Sequence, residues 1–232
     1  MIRLSKRLEK IAAFVSPCAV IADVGCDHGF LSIRLIEQKS AEHVIASDVR
    51  EGPLNRAREH ILAAGLTDRI ETIQCDGLTG IAHADTIIIA GMGGKVMLHI
   101  LAASPEVVKN AQELILQPQS EIMQFRLGLS KMGLKIVAED LVIEDEKYYP
   151  IMKAVQGEME LSDLAALYGP VLLRDHNPGL AEYLQWQHQY LTNLLSTLQG
   201  SGTDKSKMRS AEVFKELKMN EEAIAMMEKQ RG

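Results

Sequence analysis

Four clusters of carboxylates and glycines punctuate the first half of the chain, each just after an apolar, β-branched run. The stretch VIADVGCDHGFLSIRL holds Asp23, Gly25, Cys26, Asp27, His28 and Gly29 in one string. Asp48 and Val49 close HVIASDV, Asp76 and Gly77 close RIETIQCDG, and Gly91, Met92 and Gly93 close ADTIIIAGMG. Glycine lets a ligand approach the backbone closely. A carboxylate attracts cations and accepts protons from hydroxyl and amino groups. A ligand served by all four clusters is therefore hydroxylated and positively charged rather than anionic.

That sign separates two cofactor classes. A dinucleotide calls for GxGxxG, so that its diphosphate rests on a helix N-terminus. Gly25-Cys26-Asp27-His28-Gly29 fails that spacing, and Asp23 and Asp27 would repel a diphosphate. The string fits better the (D/E)xGxGxG turn of methyltransferases that use S-adenosylmethionine, whose ammonium and sulfonium complement carboxylates. Asp27 stands where the middle glycine is usual. Asp48 lies 19 positions past Gly29, where it can accept both ribose hydroxyls, and Asp76 can accept the adenine amino group. Any one of these acids alone reads equally as a turn or helix-cap residue, so the case rests on the set. GMGGK is not a phosphate loop: a Walker sequence needs glycine at position 89 and Ser or Thr at 96, where the chain has Ile89 and Val96.

The elements that must hold these clusters alternate. Strands are predicted at AVIADV, HVIASDV, RIETIQCD, ADTIIIAG and within AQELILQPQ, with helices at Phe30–Gln38, Pro53–Ala64, Lys95–Ala103 and Ser120–Met132. That order implies βαβ units and a mostly parallel sheet, with ligands beyond the carboxyl ends of the strands. Two strand-like runs, Leu134–Ile143 and Tyr148–Val155, flank an acidic turn too short for a helix, so the last strand runs antiparallel. A helix from Ile2 to Phe14 precedes the first strand and ends at Ser16-Pro17. Past Gly157 the texture changes to two long helical stretches joined by the polar linker QGSGTDKSK. They read as a hairpin, coiled-coil-like along Leu184, Leu191, Leu195 and Leu198, with Met219, Met226 and Met227 as packing residues. The expected organisation is an α/β Rossmann-like domain over 1–157, with a seven-stranded sheet whose last strand is antiparallel, and a helical domain over 158–232.

Composition adds exclusions. The formal charge of -6 over 232 residues argues against a polybasic nucleic-acid binder but leaves room for local basic patches. Cys18, Cys26 and Cys75 form no CxxC pair, so no metal site and no disulfide framework are expected, and a reducing cytoplasm is the simplest compartment. No stretch is long and apolar enough for a membrane span, and the N-terminus lacks a signal peptide's apolar centre.

DVGCDHGFL, SDV, CDGL, IAGMGG, LQPQ and YYPI, followed by the helical tail, closely resemble the bacterial tRNA (adenine-22) N1-methyltransferase family. The resemblance runs nearly end to end and implies a class I methyltransferase fold. It further implies methyl transfer from S-adenosylmethionine to a tRNA adenine, giving 1-methyladenosine and S-adenosylhomocysteine, with the helical arm helping to hold tRNA. Adenine N1 has an in-plane lone pair, so the reaction needs positioning more than a base. A carboxylate near the product cation would stabilise it, and Asp27 is the best candidate, fixing the turn being its other reading. Gln117 and Gln119, in Gln117-Pro118-Gln119, offer amides to a base edge. Tyr148 and Tyr149 are candidates to stack a base drawn out of its helix, or plain packing residues. Many adenine and cytosine methyltransferases carry Asn/Asp-Pro-Pro-aromatic after the fourth strand; here Gly91-Met92-Gly93-Gly94 stands instead. Arg3, Arg7 and Lys10, on one predicted helical face, and Arg56, near Arg50 and Arg58, are candidate RNA contacts or solvated surface charges. A monomer or weak homo-oligomer is expected. Other readings are a class I methyltransferase acting on another macromolecule or a small molecule, and a protein that binds S-adenosylmethionine without turnover.

Overall fold

The structure is a computed structural model that describes residues 3–200 and 204–229. Ile2, the middle of the Gln199–Lys207 linker and Gln230 lie outside the described residues. The chain divides into two compact units, the first ending at Glu160 and the second starting at Leu161.

The first unit is built on seven strands: β1 (Cys18–Val24), β2 (Ala41–Asp48), β3 (Ile70–Gln74), β4 (Thr86–Gly93), β5 (Glu113–Ser120), β6 (Leu134–Glu144) and β7 (Lys147–Gln156). They form one sheet in the order β3-β2-β1-β4-β5-β7-β6. The first five strands pair in parallel, and β7 is antiparallel to both β5 and β6. The parallel strands read as continuous apolar runs because both of their faces are covered. Ile87, Ile88 and Ile89 of β4 are all 0% exposed. After β3 the chain crosses back to place β4 on the other side of β1. That reversal opens a crevice beyond the carboxyl ends of β1 and β4.

Local chemistry sets the helix limits. Helix α1 (Lys6–Phe14) begins later than Ile2 because Ser5 caps it, its side chain accepting from the Leu8 N–H. Arg3 therefore precedes the helix rather than sharing a face with Arg7 and Lys10. The break after α1 is pinned by Glu113 of β5, which accepts from both the Ser16 N–H (2.7 Å) and the Ser16 hydroxyl (2.8 Å). Helices α2 (Phe30–Glu37), α3 (Glu51–Ala63), α4 (Gly94–Ala103) and α6 (Ile122–Lys131) follow within two residues of the predicted limits. A short α5 (Pro105–Asn110) between α4 and β5 was not legible from periodicity.

In the second unit, two short helices, α7 (Asp163–Tyr168) and α8 (Pro170–Arg174), precede the long pair α9 (Pro178–Gln199) and α10 (Asp204–Glu228). Leu180, Leu184 and Leu191 of α9 and Val213, Ala223 and Met227 of α10 are buried. Met226 is instead 46% exposed, since neighbours on a helix cannot both face one seam. A polar knot threads the pair. Asn220, 0% exposed, donates to the Leu184 carbonyl (3.0 Å) and to Gln187 (3.0 Å), which also accepts from the Tyr168 hydroxyl (2.9 Å). Satisfied buried amides of this kind favour one register over its neighbours.

One ion pair is fully enclosed in the first unit. Arg126 of α6 and Glu139 of β6 meet at 2.9 Å with both side chains 1% exposed. Removing one partner of such a pair strands the other charge in a dry site. Glu139→Gln is expected to cost about 3 kcal/mol, seen as a fall of roughly 6–12 °C in the melting temperature. The double change Arg126→Met with Glu139→Leu should recover most of that loss by the same calorimetric melt. An unshifted melt in Glu139→Gln would show that the pair carries no net weight.

Candidate active site

The crevice beyond β1, β2 and β4 holds a cleft of about 440 Å³. Its floor is the β1–α2 turn. Gly25, Asp27 and Gly29 all take positive φ, at 76°, 49° and 71°. These are the three glycine positions of the GxGxG pattern, so Asp27 adopts the left-handed geometry that a glycine would take there. Aspartate is among the few other residues that tolerate this conformation. The turn is anchored to β2, because the Gly25 and Cys26 N–H groups both donate to the Ser47 carbonyl, at 2.8 and 2.9 Å. A side chain at Gly25 would collide with the end of Met92, and one at Gly29 would meet Ala57 of α3 at 3.1 Å. The Cys26 thiol, buried in this turn, is pushed well above its ordinary pKa by desolvation and then by the neighbouring carboxylates.

Three carboxylates line the cleft, in three different environments. Asp23 ends β1, is 4% exposed and accepts from the Ser32 hydroxyl at 2.6 Å. Burial pushes its pKa up to about 6, against the lowering effect of the Ser32 hydrogen bonds. Asp48 ends β2, is 6% exposed and accepts from the Arg50 N–H at 2.9 Å. The Asp27 side chain is 61% exposed and lies 3.7 Å from His28 Nε2. Beside it, His28 and Phe30 stack with ring centroids 5.6 Å apart, and Phe30 stacks on His60 at 4.5 Å.

On the far side, β4 departs from regular pairing with β5 between Ala90 and Gly93. Gly91 takes φ 76° at this irregularity. The GMGG stretch is therefore a bulge that lays Met92 over Gly25 and turns the Gly91 N–H toward Gln117 Oε1, at 3.2 Å. Arg7 of α1 completes this wall: its Nη1 donates to the same Gln117 oxygen at 2.7 Å. The Arg7 guanidinium also sits 5.5 Å from the centre of the Tyr149 ring.

The cleft thus brings together Asp23, Gly25, Cys26, Asp27, His28, Asp48, Val49, Gly91 and Met92 from the expected set. It does not bring in the rest. Asp76 is exposed, and its carbonyl takes the Thr79 N–H and hydroxyl, as a turn residue does. A side chain at Gly77, at φ 59°, would strike Ile100, so that glycine serves packing against α4. Neither lines the cleft, and Cys75 takes their place there. Gly93 and Gly29 also lie outside the lining residues, Gly29 acting as the αL cap of α2.

The expected substrate-side residues are rearranged too. Gln117 is 0% exposed and its amide nitrogen donates to the Pro118 carbonyl at 2.9 Å, so Gln119, at the end of β5, is the amide that reaches the cleft. Tyr148 and Tyr149 do not line it, and as neighbours on β7 they point to opposite faces. Lys10 is paired with Asp140 of β6, and Arg7 faces inward, which leaves Arg3 and Arg56 of the four candidate RNA contacts as exposed cations. Arg7, Leu8, Ser47 and Arg50 went unread as cleft residues, whereas Gln119 was marked together with Gln117. Among the described residues no cluster of three or more His, Cys, Asp or Glu is arranged for a metal, and no helix is long and apolar enough to cross a membrane.

Comparison with known proteins gives this geometry its context. A family described as a methyltransferase domain matches residues 4–152. The tRNA (adenine(22)-N(1))-methyltransferase of Bacillus subtilis is 30% identical, the match covering 96% of this chain and 98% of that one. A solved Bacillus subtilis tRNA methyltransferase superposes with a TM-score of 0.84 at 29% identity, covering 97% of this chain and all (100%) of the other. A Streptococcus pneumoniae protein in complex with S-adenosyl-L-methionine superposes with a TM-score of 0.85 at 31% identity, covering 96% of this chain and 100% of that one. The strand order, the left-handed glycine turn and these end-to-end likenesses agree: the chain belongs to the tRNA (adenine-22) N1-methyltransferase family of class I methyltransferases.

Proposed function

We propose that the chain transfers the methyl group of S-adenosylmethionine to N1 of adenine 22 in tRNA, leaving 1-methyladenosine and S-adenosylhomocysteine. The observation that carries this is a cleft lined by carboxylates at the ends of adjacent strands, in a chain whose relative acts on that adenine. The residues fit the cofactor. Burial disfavours the Asp23 carboxylate by on the order of 3 kcal/mol at neutral pH, a cost that a cationic sulfonium compound beside it would offset. We assign Asp48, at the end of β2, to the ribose hydroxyls, and Val49, 58% exposed, to a purine face. Gly25 leaves the space in which the end of Met92 lies against the turn.

When bound, S-adenosylmethionine supplies an electrophilic methyl carbon, whose bond to sulfur breaks as the adenine N1 lone pair attacks and whose electron pair stays on sulfur. The protein needs no strong base, because N1 attacks through a lone pair that carries no proton. Its contribution is to hold the base in line and to face the positive charge that the purine acquires. Asp27 is the carboxylate we assign to that charge, being solvent-accessible and at the cleft. Arg3 and Arg56 are the exposed cations we assign to tRNA phosphates, and the α9–α10 arm is a further RNA-holding element. The reading places the protein in the cytoplasm, with its tRNA.

Methyl transfer from radiolabelled cofactor onto bulk tRNA, followed by nucleoside analysis, should put the label in 1-methyladenosine. Label in a different nucleoside, or cofactor binding with no transfer, overturns the reading. Asp23 adds a pH dependence. Its carboxyl is ionised above about pH 6 and protonated below, and only the anion attracts the ammonium and sulfonium. Affinity for S-adenosylmethionine should therefore stay level near neutrality and fall by up to about tenfold per pH unit below about 6. Asp23→Asn should flatten that fall, and calorimetric titrations across this range would expose a profile that the substitution leaves unchanged. Asp27→Gly separates the two roles of that residue, since glycine keeps the left-handed turn. Cofactor affinity should hold while kcat drops on the order of 10²-fold; an undiminished kcat would leave Asp27 a turn residue only.

A further inference from the structure

We infer that the stripe of rings Tyr183, Trp186 and Tyr190 on α9 is a stacking platform for an unpaired base of the tRNA substrate. The inference rests on the tRNA reading above and goes further by giving the helical arm a mode of recognition. The three rings follow one another at i, i+3 and i+7, so they share one face of the helix. Tyr183 and Trp186 have ring centroids 5.8 Å apart, and those of Trp186 and Tyr190 are 5.7 Å apart with the rings within 8° of parallel. The hairpin is held together on a different face of α9, built on Leu180, Leu184 and Leu191. Trp186 is 51% exposed and Tyr190 53%. The chain holds one tryptophan and five tyrosines, and aromatic residues make up only 4% of it. Setting the tryptophan and a stacked tyrosine in water forgoes the burial that either ring would gain in a core.

The surroundings select the occupant. From Tyr183 to Gln199, α9 carries no Asp, Glu, Lys or Arg, so no carboxylate on that stretch repels a phosphate beside the rings. Asn220 donates to Leu184 and Gln187, and His176 meets the Met227 carbonyl at 3.0 Å. The two helices therefore run antiparallel, and the first half of α10 lies alongside the stretch of α9 beyond Gln187. Over Asp204–Lys218 of α10 the lysines and arginines outnumber the carboxylates five to three, whereas over Met219–Lys229 the glutamates lead three to one. The rings thus adjoin the positive half of the hairpin. An aromatic face with cations beside it suits an anionic ligand that carries flat, apolar rings, which is what a nucleic acid with an unpaired base presents. A base inside a duplex is already stacked on both sides, so the partner is a loop, bulge or junction nucleotide. Every base has a π-face, so the platform holds tRNA without selecting a sequence, and the choice of base is left to the site of methyl transfer.

Because Trp186 is the chain's one tryptophan, its emission reports on this surface alone. Titrating the full chain with an unmodified tRNA transcript should quench that emission in step with binding, followed independently by the anisotropy of end-labelled tRNA. A fully paired RNA duplex should leave the emission unquenched. Trp186→Ala should weaken tRNA binding by about 10- to 100-fold. The slope of affinity against salt should not change, because stacking releases no counterions. Trp186→Tyr should restore most of the affinity, and Tyr190→Ala should show a smaller loss. Calorimetric affinity for S-adenosylmethionine should be the same in all three variants. Binding of tRNA with the Trp186 emission unchanged would overturn the inference, as would equal tRNA affinity in Trp186→Ala and the unaltered chain. A Trp186→Ala chain that sediments as a smaller species than the unaltered one would also overturn it, since the stripe would then be an interface between copies. Methylation of tRNA alongside any of these results would strike the platform and leave the functional reading standing. Failure of the unaltered chain to bind any tRNA would remove that reading, and the platform with it.

Discussion

Asp23 sits 4% exposed at the carboxyl end of β1, with the Ser32 hydroxyl at 2.6 Å and its pKa pushed up to about 6. A buried carboxylate is costly, and one short hydrogen bond does not remove that cost. The parallel sheet supplies a crevice at the point where its winding reverses, and the turn after Asp23 forms its floor.

Two irregular stretches make the crevice usable. The β1–α2 turn uses three left-handed residues and is tied to the Ser47 carbonyl, which sets the floor. The β4 bulge around Gly91 sets the opposite wall and presses Met92 onto Gly25. Each depends on the other, because a side chain at Gly25 and the present position of Met92 are incompatible. The GMGG sequence, which departs from the Pro-Pro-aromatic pattern of other adenine methyltransferases, thereby acquires a structural reason. It trades a rigid aromatic loop for a bulge that hands its backbone to Gln117.

Helix α1 ties this site to the far edge of the sheet. Lys10 and the Lys6 N–H hold it to β6, and Arg7 carries the contact inward to Gln117. A helix whose sequence reads as a basic RNA-facing surface thus also contributes Arg7 and Leu8 to the wall of the cleft. The formal net charge of -6 means that any binding of a polyanion rests on local groups of cations rather than on the surface as a whole.

Fold class and the sign of the ligand were legible in residue order alone. Strand–helix alternation, an acidic turn too short for a helix before the last strand, and acids at strand ends are local patterns whose periodicity survives without tertiary context. Residue order also marked Asp23, Gly25, Asp27 and Asp48, because a tight turn and a hydroxyl acceptor demand particular residue types. Which side chains face the cleft was set by long-range packing. Arg7 and Lys10 share a helix, yet one points at Gln117 and the other at Asp140, a choice made by what the helix packs on. Gln117 and Gln119 share a strand face, yet the first is sealed beneath α1 and the second emerges at the strand end. Asp76 and Gly77 directly follow Cys75, which borders the cleft, and packing rather than residue type sets the direction of their side chains: the space beside Gly77 is filled by Ile100 of α4.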